Sequence, residues 1–509
     1  MNIFINPVFA MDETFSFARG SHLDELRTAV QLITSRPRVH VAPTMHLDPV
    51  ILSRIQFAWV IGWHILLPAF TVGLASFIAF LEGAYTLTKR RIFLDLSQFW
   101  LRIFAVSFGM GVVTGIVMPF QFGTNWSRFS DASGNVISPL LAYEGLTAFF
   151  LEATFLGVLL FGRKLVPPVM HFIAAVLVAV GTLSSSFWIL ATNSWMQTPA
   201  GYQLVDGRFF PENWFDIIFN PSFPFRLAHT VSAFYVTTAF VVLGVGAYTL
   251  RRGQYLAEGG MMLRLALWFL AIFVPAQMII GDLHGVNTLA YQPAKLAAIE
   301  GLWDGGRGVA ASIIGWPDDA AERNLGEVAI PRLGSLYLTH SWDGEVKGLK
   351  DFPADQRPPV PVVYFAFRIM VGVAVLMLTV VVMGLVLMKR GTLDRSPRYL
   401  RLCQLAASFG FIAVIAGWTT TEVGRQPWTV YGLLRTADSV APSLTGGDVL
   451  ISLLLYVVVY LVIYPVGLFL MLRLVWGGLA PRDLAMPVAG GRSKAPIEAL
   501  SPSPPEAVG

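Results

Sequence analysis

The chain has one cysteine, Cys403, among 509 residues. That excludes an intramolecular disulfide and leaves a small apolar side chain suited to burial. Charge is scarce as well. Asp, Glu, Lys and Arg make up 13% of the residues against 55% hydrophobic ones, and the mean hydropathy is +0.62. Such a balance excludes a water-soluble globule. The net charge is only +4, and the basic residues gather in short connections between apolar runs, which gives nucleic-acid binding no support. No internal repeat is evident, and the apolar stretch at the N-terminus is too short and interrupted to serve as a secretory signal.

What the sequence does have is apolar runs long enough to cross a bilayer, at approximately 55–81, 98–119, 140–161, 168–191, 225–249, 263–281, 361–388, 401–422 and 449–472. The expected fold is therefore all-α, a polytopic membrane bundle of about nine transmembrane helices. Basic residues mark alternate connections: Lys89, Arg90 and Arg91; Arg163 and Lys164; Arg251, Arg252 and Arg264; Lys389, Arg390, Arg395, Arg398 and Arg401. The positive-inside bias then puts the N-terminus outside and the C-terminus inside. Residues 1–45 form an atypical extension, and translation is expected to begin at Met45. Spans one to six fill 46–281, and a long extracytoplasmic connection runs over 282–360. Spans seven to nine fill 361–480, and 481–509 is a Ser/Pro-rich tail expected to be a disordered cytoplasmic end.

Ionisable and metal-ligating side chains inside apolar spans are costly, so each is a candidate for function. With a rise of ~1.5 Å per residue, His229 falls ~6 Å below the outer surface, and His64 and Met370 fall ~14 Å below it. Glu422 ends the eighth span at that surface, followed closely by Arg425 and Trp428. Imidazole and thioether suit haem iron, a Met/His pair giving a six-coordinate electron-transfer centre, whereas a single His or carboxylate leaves a position open for a gas. Taken singly, each has a plainer reading: a core histidine with a hydrogen bond, or a methionine filling a gap. His171 reads as a solvated interfacial side chain, and His22, His40, His46, His284 and His340 lie outside the predicted spans. Glu144 and Glu152 share the third span, eight residues and ~80° apart, so both can border a polar channel continued by Ser184, Ser185 and Ser186. The competing reading is a hydrogen bond between helices.

These residues sit in blocks that together resemble subunit I of a cytochrome bd-type quinol oxidase. The blocks are Ser53-Arg54-Ile55-Gln56-Phe57-Ala58 before His64, Phe120-Gln121-Phe122-Gly123-Thr124-Asn125-Trp126, Glu144-Gly145-Leu146 with Phe149-Phe150-Leu151-Glu152, and Trp195-Met196-Gln197. They continue with His229-Thr230-Val231, Lys295-Leu296-Ala297-Ala298-Ile299-Glu300, Tyr364-Phe365-Ala366-Phe367-Arg368-Ile369-Met370 and Gly424-Arg425-Gln426-Pro427-Trp428.

The resemblance implies that His229 and Met370 are axial ligands of a low-spin haem b, that Glu422 ligates a high-spin haem b, and that His64 ligates the oxygen-reducing haem, a haem d or a third haem b. It implies that Arg368 and Arg425 face haem propionates, that Trp418 lies between the haems or merely packs there, and that Asn193 lies close to them. Glu144 and Glu152 match the family's proton-path acids. Lys295 and Glu300 would contact quinol in the outer loop, with Asp282 at its start. The implied activity is quinol:oxygen oxidoreduction in a bacterial cytoplasmic membrane, with electrons from quinol reducing dioxygen to water and a proton-motive force arising without pumping. The implied partners are a subunit II and a single-span accessory peptide. Two departures stand out. The loop is short, which suggests the cyanide-insensitive branch, and Pro119 stands where other members can carry a carboxylate before Phe-Gln-Phe-Gly. Two rival readings remain at this point: a proton-coupled transporter using Glu144, Glu152 and Arg368, and a b-type cytochrome needing His229 and Met370 but neither His64 nor Glu422.

Overall fold

The computed structural model describes residues 47–479. The expected start at Met45, the extension before it and the tail after 481 lie outside the described residues. Among the described residues, nine helical segments are long and apolar enough to span a membrane: Pro49–Thr88, Arg91–Thr124, Ser127–Lys164, Pro168–Gln197, Phe223–Arg252, Leu256–Tyr291, Val360–Lys389, Pro397–Val423 and Gly446–Gly477. All nine expected runs lie within them, and the observed helices extend beyond the apolar windows at their ends.

The first span is broken in the middle. Asp48 caps its start by accepting from Val50 N at 2.8 Å, with Pro49 opening the helix. The first helix ends at His64, and a second begins at Pro68. Pro68 has no N–H to donate to the carbonyl of His64, so the ladder tightens there: Leu66 N bonds Trp63 O and Leu67 N bonds His64 O. The third span is interrupted by a π-helical turn over Gly145–Phe149. The sixth continues past residue 281 to Tyr291 and stops ahead of Pro293, because Gln292 is pushed out of helical geometry by the proline that follows it.

The largest core brings together Leu74, Ile78, Trp100, Phe104, Val178, Phe240, Leu243, Leu263, Leu267 and Tyr399, and it includes the fully buried free thiol of Cys403. Between spans six and seven lie the helix Pro293–Glu300 and an antiparallel hairpin, Ala311–Asp318 with Arg323–Ile330. The long connection thus carries helix and strand of its own. Three further two-stranded pairs also decorate the helical bundle.

Candidate functional site

The strongest concentration of charge lies where spans four, five and eight meet the helix Pro293–Glu300. Glu422 accepts from Arg425 Nη2 at 2.5 Å, from Asn193 Nδ2 at 3.0 Å and from Gln197 Nε2 at 3.3 Å, and Arg226 Nη2 lies 4.0 Å away. Arg226 also donates to Ser194 Oγ at 3.1 Å and to Asn193 Oδ1. Lys295 Nζ donates to Gln197 Oε1 at 2.6 Å and to Gln292 Oε1 at 2.7 Å. Burial, and then the charge of Arg226, hold the Lys295 ammonium well below its ordinary pKa, against the opposing pull of Glu422. Two buried guanidinium groups and the Lys295 amine thus surround one carboxylate. Arg425 keeps Nε and Nη1 buried without a protein partner, two donors left for an anionic group. Gly424 is required here, because a Cβ would fall 2.4 Å from Thr420 O and 2.8 Å from Lys295 Cγ.

Each of the other expected ligands has its reactive end against a glycine of another helix. A Cβ on Gly281 would sit 3.3 Å from His229 Cε1, one on Gly417 2.9 Å from Met370 Sδ, and one on Gly115 3.2 Å from His64 Cε1. His229 also has Gln277 Nε2 at 3.4 Å from Nδ1 and the ring of His284 at 5.5 Å. The expectation that His284 lies apart is therefore corrected: the sixth helix carries it past the apolar window to the side of His229. His64 Nδ1 bonds Thr114 Oγ1 at 2.9 Å, which fixes one ring nitrogen and leaves the other for a ligand. Trp418 packs with Ile65, Val72 and Phe234, next to the break that follows His64. Among the described residues no three His, Cys, Asp or Glu side chains converge as a bare metal site.

The two acids of the third span are closer in phase than ideal α-helical geometry allows. A π-turn absorbs about one extra residue, so eight residues sweep about 700° rather than 800°, and the carboxylates differ by about 20°. The fourth span agrees. Ser185 Oγ donates to Glu144 at 2.8 Å, and Gly181, one turn earlier, lets the backbone approach so closely that a Cβ would meet Glu152 Cγ at 2.6 Å.

At the folded connection, Glu300 accepts a hydrogen bond from Tyr337. Burial pushes the Glu300 carboxyl above its usual range, opposed by that bond and by Arg368. Arg368 stacks on Tyr364, its guanidinium carbon 3.1 Å from the ring centre, and donates to Ile299 O at 2.8 Å and Ser312 O at 2.5 Å. It therefore ties the seventh span to this connection, with Nε left as its unpartnered donor. Asp282 is an exposed helix residue paired with His340 at 3.2 Å.

His171 is not solvated. It is 1% exposed, with Nδ1 3.2 Å from the fully buried Glu82, which also takes Arg163 and Ser97. Spans one to four meet at this cluster. Sequence reading missed Glu82, Arg226, Gln277 and Gln292. Arg226, a charge at the start of an apolar run, carried the same signal that picked out Glu144, whereas Glu82 falls just past the end of the 55–81 run; Gln197 lay within a quoted block without a role.

The family profile for cytochrome bd terminal oxidase subunit I matches residues 52–479. Cytochrome bd ubiquinol oxidase subunit 1 of Bacillus subtilis (strain 168) is 36% identical over 437 residues, covering 84% of this chain and 93% of its own. Cytochrome bd-II ubiquinol oxidase subunit 1 of Escherichia coli (strain K12) is 32% identical over 495 residues, covering 83% and 96%. The solved structure of bd oxidase from Geobacillus thermodenitrificans superposes with a TM-score of 0.79 at 29% identity, over 85% of this chain and 99% of that one. With nine candidate spans and a match along nearly all of its described length, the chain belongs to the cytochrome bd terminal oxidase subunit I family.

Proposed function

We propose that this chain is the haem-bearing subunit of a quinol:oxygen oxidoreductase that oxidises quinol at the folded connection and reduces dioxygen to water. The observation that carries the reading is the site of Glu422, where Arg226 and Arg425 outnumber the carboxylate and two donors of Arg425 have no protein partner. A buried excess of positive charge calls for anionic groups, and haem propionates meet that need. In this reading His229 and Met370 hold a low-spin haem b, Glu422 a high-spin haem b, and His64 a haem d or third haem b. Bound there, these groups would supply one-electron transfer and dioxygen binding.

The protein side chains do the rest. Thr114 orients the His64 ring, Asn193 and Gln197 orient the Glu422 carboxylate, and the glycines at 115, 281 and 417 keep space beside the ligands. Glu300 takes a quinol hydroxyl proton as electrons depart, with Tyr337 as its hydrogen-bond partner, and Lys295 contacts the quinol. Glu144 and Glu152, on one face of the third span, pass protons towards the oxygen-reducing centre. The basic connections place the N-terminus outside and the C-terminus inside a bacterial cytoplasmic membrane. Quinol protons are then released outside and those for water are drawn from inside, which builds a proton-motive force without pumping. The chain works with a subunit II and a single-span accessory peptide, and the shortness of its connection supports reading it as a member of the short-loop, cyanide-insensitive branch.

Met370→Leu tests the assignment. It should perturb the low-spin spectrum and quinol oxidation while carbon monoxide still binds at the His64 site. Loss of carbon monoxide binding in correctly assembled protein would contradict it.

A further inference from the structure

A groove of about 730 Å³ runs between the seventh and eighth spans, open along one side. Its wall on the seventh span is Val362, Phe365 and Ile369, and on the eighth Ile412, Ile415 and Thr419, at the i, i+3 and i+7 spacing that keeps three side chains on one helix face. The small side chains of Ala366 and Ala416 also line it. From Pro361 to Ile369 the groove follows the helix for ~12 Å. Apart from the indole N–H of Trp316 at its mouth, Thr419 is its one polar side chain, and that hydroxyl donates to Ile415 O at 2.9 Å, so nothing along the helical walls asks for a hydrogen bond. Val362, Ile369 and Ile412 are 48%, 51% and 44% exposed, which makes it a wide apolar face.

One end of this groove is continuous with the connection that carries Glu300. Trp316, on the hairpin strand Ala311–Asp318, lines the groove and lies 5.0 Å from the Phe365 ring. The same strand is tied down at Ser312, whose hydroxyl bonds Tyr364 at 2.9 Å and whose carbonyl takes Arg368. Arg368 in turn donates to the backbone of Ile299 and Glu300. A polar end at Glu300 and Tyr337 therefore leads, across one strand, to an apolar trough aimed into the bilayer depth. A molecule with a hydroxylated ring and a long hydrocarbon tail has that distribution of polarity.

We propose that the groove between spans seven and eight binds the polyisoprenoid tail of the quinol, with Trp316 as the aromatic contact where tail meets head. The proposal rests on the quinol-oxidising function set out above. Tail binding there adds apolar contact to substrate affinity without touching the reacting hydroxyls, so it acts on KM and leaves kcat alone.

The test uses the assembled oxidase with its partner subunits and one quinol head group, the better oxidised of a benzoquinol and a naphthoquinol. That head is supplied once with two isoprene units and once with none. Ile412→Trp fills the groove from its rim, and Trp316→Ala removes the contact at its mouth without altering a spanning helix. Both should raise KM for the tailed quinol about tenfold, leave KM for the tailless quinol and both kcat values unchanged, and leave the haem spectrum as it is. Equal effects on the two quinols, or no effect on the tailed one, would overturn the proposal in favour of a lipid acyl chain or a partner helix in the groove. Failure of the unaltered oxidase to oxidise either quinol would instead overturn the function on which the proposal rests.

Discussion

Gly417→Ala adds a carbon that would lie 2.9 Å from Met370 Sδ, well inside the ~3.5–4.0 Å at which non-bonded heavy atoms attract best. Overpacking of this kind costs ~1–3 kcal/mol. In a free side chain most of it would be relieved by rotation of the flexible thioether. In the proposed role of Met370 as an iron ligand the sulfur would have no such freedom, so part of the cost would fall on ligation. Thioether ligation raises the midpoint potential, and a loss of ~1 kcal/mol that falls on the reduced state lowers it by on the order of 40 mV for one electron. Spectroelectrochemical titration of the purified complex, followed by carbon monoxide addition, reads both effects. The low-spin potential should fall while carbon monoxide binding stays normal. Gly115→Ala, whose Cβ would lie 3.2 Å from His64 Cε1, should do the reverse, weakening carbon monoxide binding with the low-spin potential unchanged. If the two variants exchanged these signatures, or behaved alike, the separation of Met370 from His64 into different centres would be wrong.

Arg425→Gln removes the closest cation from Glu422 and leaves a buried carboxylate served by Arg226 at 4.0 Å. Breaking a buried pair costs about 3–5 kcal/mol, and haem content measured per protein should drop with the low-spin signal preserved. Burial raises the Glu300 pKa, so this group stays protonated to a higher pH than a free carboxylate and becomes a base only as pH rises through that shifted value. The acid limb of quinol oxidation should lie above the ordinary carboxylate range and vanish in Glu300→Gln. By the same sign, Glu300's contribution to fold stability declines over that rise in pH. Glu82→Gln leaves Arg163 and His171 facing a neutral amide in a dry core. Thermal stability should fall by about 3–5 kcal/mol while the haem potentials of the surviving protein stay unchanged.

The spans were legible because length and hydropathy in a bilayer depend on little else. Their ends were not. Residues 282–291 lose hydropathy but keep helical backbone until Pro293 stops it, which is why His284 looked like a loop residue yet stands beside His229. Glu422, Asn193, Arg425 and Lys295 were each singled out from the sequence, but that they share one site depends on the packing of spans four, five and eight against the helix Pro293–Glu300. No spacing in the chain encodes that. The π-turn at Gly145–Phe149 narrows the phase between Glu144 and Glu152 from the ~80° of a straight helix to about 20°, which hydropathy does not announce. Buried ion clusters such as Glu82 with His171 and Arg163 are likewise invisible while each charge sits near a span end and reads as interfacial.

The most direct test of the central claim is a reduced-minus-oxidised spectrum of the intact, partner-containing oxidase before and after carbon monoxide. The expected result is a low-spin b-type signal that ignores carbon monoxide, together with a second haem signal that shifts when the gas is added. A colourless preparation, or haem wholly indifferent to carbon monoxide, would contradict it.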